Sequence, residues 1–173
     1  DEHGRKTVSI ADCTPNVADL QDLFLQKAEK VMVKLSPMLD ISKALEELHL
    51  VKELHVVALA NECKELDFIL ERGYQGEIQF VCVNLLTEQP EVRFTMEEER
   101  NSSGKLAESV LKYLYEPNPA VMKAGCFKLL TQRFDVFKLH KNSNLYTSED
   151  LISDFPGRIF EVEGWAPYNK KVK

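Results

Sequence analysis

The chain has 173 residues, 44% of them hydrophobic and 29% charged, with a net charge of −6. A chain of this size suffices for one domain, or one and a half small ones, and buries roughly 70% of its unfolded surface. That composition reads as soluble and globular, the cysteine usage is that of a cytoplasmic protein, and no apolar run approaches the ~20 residues of a membrane helix. The charge is uneven. Residues 1–100 carry 11 basic against 20 acidic side chains, whereas 105–141 carry seven basic against three acidic. A basic stretch beside an acidic one hints at a module facing a polyanion, although such a bias is as readily a solvated surface.

In chain order, Thr14-Pro15 reads as an N-cap with proline at the first helical position. Val17, Leu20, Leu23, Phe24 and Ala28 then fall on one helical face. The run VMVKLSPMLD at 31–40 follows, an apolar strand stopped by Ser36-Pro37, with Asp40 opening a helix near 41–49. Strand, polar turn and helix are the grammar of an open α/β sheet, whose ligands sit outside the carboxyl ends of the strands. A buried strand is predicted at 53–60, a short helix over KELDFILE up to Gly73, and another strand at 77–85. Residues 1–85 thus read α-β-α-β-α-β.

The texture then changes. A strand is predicted at 91–96, and the polar, turn-rich stretch 97–104 is the best domain boundary. A helix is expected over LAESVLKYL, then a rigid turn at Glu116-Pro117-Asn118-Pro119, and a helix from Ala120 to about Arg133. RIFEVEGW alternates like a strand.

Four cysteines, Cys13, Cys63, Cys82 and Cys126, form no C-x-x-C pair and have no histidine at ligand spacing. Reduced structural thiols are the expectation, and no metal is expected. His49 and His55 read as locally satisfied histidines. His140 lacks any supported serine or cysteine nucleophile.

Two groups of residues are candidates for function. Lys34, Ser36, Pro37, Met38 and Asp40 follow one strand, and Asn61 and Glu62 follow the next. All lie where an α/β sheet places substrate, although Asp40 and Asn61 read equally well as helix caps. Lys138, His140, Lys141, Asn142 and Tyr146, with Arg158 further on, form a polar and aromatic set able to contact RNA phosphates and stack a base. An Asn/Ser-rich turn before a strand explains the same residues.

VMVKLSPMLDIS with HVVALANECKELDFIL, taken together with YLYEPNPAVMKAGCFKLL, LHKNSNLYTS and DFPGRIFEV, resembles a family of class I S-adenosylmethionine-dependent methyltransferase-like proteins of Bacteroidetes. The resemblance implies a fold class: α/β, the C-terminal half of a Rossmann-like methyltransferase sheet followed by a small α+β, ferredoxin-like domain. It implies sheet residues at 1–100, the ferredoxin-like domain at 105–160, and the start of a THUMP-like domain at 161–173. The family's Asp-Pro-Ala-Arg motif, glycine-rich cofactor turn and ribose-binding acid would lie upstream of Asp1, and the chain would cover strands five to seven. The chain then reads as an excised piece with no catalytic residue of its own. It would need no cofactor alone, although the parent would use S-adenosylmethionine, with RNA as the partner. A homodimer through the truncated sheet edge is a further expectation. A non-enzymatic RNA-binding or protein-interaction module on a degenerate Rossmann-like base, and an unrelated α/β enzyme, stay open as alternatives.

Overall fold

In the computed structural model, residues 9–166 are described. A single 3₁₀ turn, Ile10–Asp12, precedes helix α1, Val17–Lys27. The cap of α1 is Asn16, whose side chain accepts from Ala18 N–H. The predicted cap at Thr14-Pro15 is thus displaced by two positions, because Asn16 has the short amide that reaches back to the first turn. Strand β1, Lys30–Leu35, leads through the loop 36–40 into α2, Ile41–Glu47, as the sequence predicts.

The next segment departs from expectation. β2, Val51–Leu59, turns directly into β3, Glu62–Glu71, and KELDFILE is strand rather than helix. The reason lies in the period of its apolar residues. Leu66, Phe68 and Leu70 alternate and are all fully buried, so a sheet buries them on one face where a helix would scatter them. The two-residue turn between the strands holds Ala60 and Asn61 at φ 48° and 65°, the left-handed pair that a tight hairpin matching the twist of its strands demands. β4, Gln79–Leu85, and β5, Val92–Thr95, complete the sheet.

The sheet order is β1-β3-β2-β4-β5. β3 runs antiparallel to both β1 and β2, β2 and β4 are parallel, and β5 is antiparallel to β4. β1, β2 and β4 therefore point the same way, and their carboxyl ends (Leu35, Leu59 and Leu85) share one edge. The sheet is mixed rather than uniformly parallel.

Helix α3, Met96–Asn101, carries a capping box between Thr95 and Glu98. No helix forms over LAESVLKYL. Leu106 makes an isolated bridge to Lys138 instead, and β6, Tyr113–Pro117, begins within the stretch. Fully buried Tyr115 anchors that strand, and packing of an aromatic on a pleated surface overrides the helical propensity of its neighbours. The long helix expected from Ala120 to Arg133 is two short ones, α4, Pro119–Ala124, and α5, Leu130–Arg133. Gly125 ends α4 in the left-handed conformation at φ 79°, the usual helix stop. β7, Phe137–Lys138, β8, Tyr146–Ser148, and β9, Gly157–Glu161, close a second, antiparallel sheet of order β7-β8-β6-β9.

One hydrophobic core runs from Ile10 to Phe155 and spans both sheets. Phe155 gathers the second sheet, its ring centroid 5.0 Å from Tyr115, 5.7 Å from Phe134 and 5.8 Å from Tyr146. Complete burial of an aromatic of this size contributes roughly 1.5–3 kcal/mol. Val121, fully buried on α4, joins the same core. All four cysteines are free thiols, with Cys82 and Cys126 buried. Among the described residues, no helix is long and apolar enough to cross a membrane. Most of the segment 161–173, expected to open a further domain, falls on 167–173, outside the described residues.

Candidate functional site

The parallel strands β1, β2 and β4 bring their following loops to one end of the first sheet, where α/β proteins bind ligands. After β1, Met38 N–H donates to Ser36 Oγ at 3.2 Å, and Leu39 N–H to the Ser36 carbonyl at 3.1 Å. Ser36 thus organises the turn. Asp40 caps α2 by accepting from Lys43 N–H at 3.1 Å. Pro37 is half-buried, and Met38 is 69% exposed at the tip. Lys34 lies on the solvent side of β1 and pairs with Glu65, whose carboxylate raises the ammonium pKa.

After β2, Asn61 occupies the hairpin turn rather than a helix cap. Its N–H donates to Asn84 Oδ1 at 3.0 Å, and its Oδ1 accepts from Asn84 Nδ2 at 2.8 Å. Asn84 is buried at the end of β4 and also donates to Gln89 Oε1 at 3.0 Å. Gln89 Oε1 accepts in turn from Asn118 Nδ2 at 3.0 Å, while Asn118 Oδ1 caps α4 through Val121 N–H. Four amide side chains therefore connect the β2–β3 turn, the end of β4, the following loop and the start of α4. Burying amides without partners costs about 1–3 kcal/mol each, and this chain of contacts satisfies them. Glu62, beside the turn, pairs with Lys64 at 2.7 Å and is largely exposed.

The structure thus gathers Ser36, Pro37, Met38, Asp40, Asn61 and Glu62 at one end of the sheet, with Lys34 on the flank. Asn118, read from sequence as part of a rigid turn, joins them, as do Asn84, Gln89 and, through its Nζ bond to the Leu39 carbonyl, Lys123, which the sequence did not single out. A buried asparagine closing an otherwise apolar strand was the available signal for Asn84; an asparagine directly before Pro119 was the signal for Asn118. The rim is apolar as well: Leu59, Leu85 and Leu86 are 36%, 51% and 84% exposed. Leu86 stands at φ 60°, an uncommon conformation for a branched side chain. Among the described residues, no cluster of three His, Cys, Asp or Glu side chains fits a metal ion.

The second candidate set is divided. His140, Lys141 and Asn142 are exposed on the loop between β7 and β8, with Asn142 N–H donating to His140 Nδ1 at 3.1 Å. Tyr146 is fully buried, and its hydroxyl donates to the Phe127 carbonyl at 2.8 Å. It is a core residue rather than an open stacking platform, because its ring packs on Phe155. Lys138 is 5% exposed. Arg158 pairs with Glu116 on β6 and lies 5.7 Å from the Phe160 ring centroid. It sits on β9, at the far edge of the sheet from β7.

Sheet, hairpin and second sheet together define the class: an α/β protein of methyltransferase-like architecture followed by a small α+β, ferredoxin-like domain. The chain is similar to the crystal structure of a candidate methyltransferase from Porphyromonas gingivalis W83, with 41% identity and a TM-score of 0.90 over 98% of this chain. It spans 44% of the length of that protein. Residues 113–156 match the family of a ferredoxin-like domain. None of the curated proteins compared matches the chain.

Proposed function

We propose that this chain is part of an S-adenosylmethionine-dependent methyltransferase acting on RNA in the cytoplasm, and that it does not catalyse methyl transfer alone. The observation that carries the reading is the 41% identity to the Porphyromonas gingivalis protein over nearly the whole of this chain. In this reading residues 1–100 continue a methyltransferase sheet, 105–160 form the ferredoxin-like domain, and a THUMP-like domain begins at 161–173.

In this reading the cofactor cradle belongs to other residues of a longer protein. The turn from β1 into α2 is built by Ser36 and capped by Asp40, with no glycine to let the backbone approach a ligand. The described glycines stand in the β3–β4 connection, after α3, at the end of α4, and at the start of β9 and beyond its end instead. The part left to this chain is positioning, which supplies several kcal/mol of barrier lowering when reacting groups are held at near-attack distance. Ser36, Pro37, Met38, Asp40, Asn61 and Glu62 would wall the substrate cleft, with Lys34 on its flank. β1 is an edge strand and is the proposed seat of a homodimer contact, since an open edge offers unpaired backbone groups.

The test is calorimetric titration of S-adenosylhomocysteine into this chain and into a version extended upstream. Binding by the long form alone is expected. Binding by neither would overturn the methyltransferase reading, and binding by this chain would overturn the assignment of the cofactor contacts.

A further inference from the structure

A buried ammonium is costly unless a carboxylate or several acceptors meet it. Three other lysines each have a close oxygen partner. Lys52 meets Glu71 at 2.9 Å, Lys105 meets Asp135 at 2.8 Å, and Lys123 meets the Leu39 carbonyl at 2.8 Å. Lys138, 95% buried by its 5% exposure, has none so close among the described residues. Its Nζ lies 5.4 Å from the Phe127 ring centroid and 5.8 Å from that of Tyr146. Two aromatic faces stabilise a cation without neutralising it. Among the described residues, its one hydrogen-bond acceptor is Asn144 Oδ1 at 3.5 Å, too long for a strong bond. An ammonium has three donors to satisfy. The nearby acid, Glu99, is already committed to the N–H groups of Lys128 and Leu129.

The loop that supplies Asn144 is also unusual in charge. From Val136 to Ser148 there is no acidic residue, while Lys138, His140 and Lys141 are basic, in a chain of net charge −6. Cations elsewhere on this sheet are matched: Lys112 by Glu161 and Arg158 by Glu116. Lys141 and Asn142 are exposed on the same loop.

We propose that Lys138 and the loop 139–145 form a site for a phosphodiester of single-stranded RNA. A phosphate oxygen replaces the weak Asn144 acceptor at the ammonium, while Lys141 and the Asn142 amide meet the same group from the solvent side. The burial that depresses the Lys138 pKa is relieved by the incoming anion. This inference rests on the RNA reading above and names the anchor within it.

The experiment is fluorescence anisotropy of a labelled, mixed-sequence 20-nucleotide RNA at several salt concentrations, with inorganic phosphate as competitor. Each phosphate contact to a single strand contributes about 0.7 to the slope of log affinity against log salt. Lys141→Gln and Lys138→Met are each expected to weaken binding about threefold or more and to lower the slope by about one contact. Lys27→Gln, on the distant α1, is expected to leave both unchanged. Lys141 is a surface position, so it keeps the test valid should Lys138→Met fail to fold. Wild-type affinity in both loop variants would overturn the site while leaving RNA as the substrate. No RNA binding by the unaltered chain would overturn the RNA reading and the site with it. Competition by millimolar inorganic phosphate as effective as by RNA would overturn the diester assignment in favour of a free phosphate.

Discussion

Lys123 on α4 donates from Nζ to the carbonyl of Leu39 at 2.8 Å, across 84 positions of sequence. The bond ties the ferredoxin-like region to the turn that follows β1. Leu39 is itself buried, so the tie fixes the loop 36–40 against the core. Replacing Lys123 by Met keeps the aliphatic stem and removes the donor. A loss of about 0.5–1.5 kcal/mol in urea denaturation is expected, with faster amide exchange confined to 36–40.

Ala60 occupies a left-handed position at φ 48°, where a Cβ costs about 1–2 kcal/mol. Ala60→Gly removes that cost and keeps the Ala60 N–H bond to the Leu85 carbonyl. Part of the gain is returned through the greater freedom of glycine in the unfolded chain. A net stabilisation of about 0.5–1 kcal/mol is expected, read as a rise in the denaturation midpoint.

Gly157 allows β9 to approach β6 closely. A Cβ added there would stand 2.0 Å from the Glu116 carbonyl oxygen, a backbone atom held by the strand pairing. Gly157→Ala is expected to destabilise by about 1–3 kcal/mol and to loosen β9 first. Selective loss of amide protection over 157–161 would identify that order.

Asp67 gives the protein a pH dependence of unusual sign. It lies on β3 between Lys34 and His55 in register, and its Oδ1 is buried without a hydrogen-bond partner. Desolvation first, and then the Glu65 charge, raise its pKa. A carboxyl that binds its proton more tightly when folded contributes stability below its unfolded pKa of ~3.9, and that contribution is lost as pH rises through the folded value. Asp67→Asn is therefore expected to raise the urea midpoint at pH 7 and to change it little at pH 3. A lower midpoint at pH 7 would show that attraction to Lys34 and His55 outweighs the burial.

Local signals carried much of the fold. β1, the turn at Ser36-Pro37 and the cap at Asp40 each depend on neighbours within a few positions. KELDFILE has the composition of a helix, and the alternation of Leu66, Phe68 and Leu70 is blurred by Ile69 between them; pairing with β1 and β2 makes it a strand. Gly125 is the local mark of the break in the expected 120–133 helix. The loops at the sheet end were foreseeable as strand termini. Their connection was not, since Asn84 meets Asn61 from another strand and Asn118 meets Gln89 across 29 positions.

That amide relay has a consequence for how the two halves communicate. Asn61, Asn84, Gln89 and Asn118 carry no net charge and do not titrate in the physiological range. The link from the second sheet's leading helix to the strand ends is therefore indifferent to salt and to acidity, where a relay of ion pairs would slacken with either. A displacement of α4 would be transmitted to the hairpin turn at Asn61 with the same fidelity at any ionic strength, so the β2–β3 turn and the end of β4 are set by mechanical position, whereas the loop 36–40 is tied to the same helix by the charged Lys123.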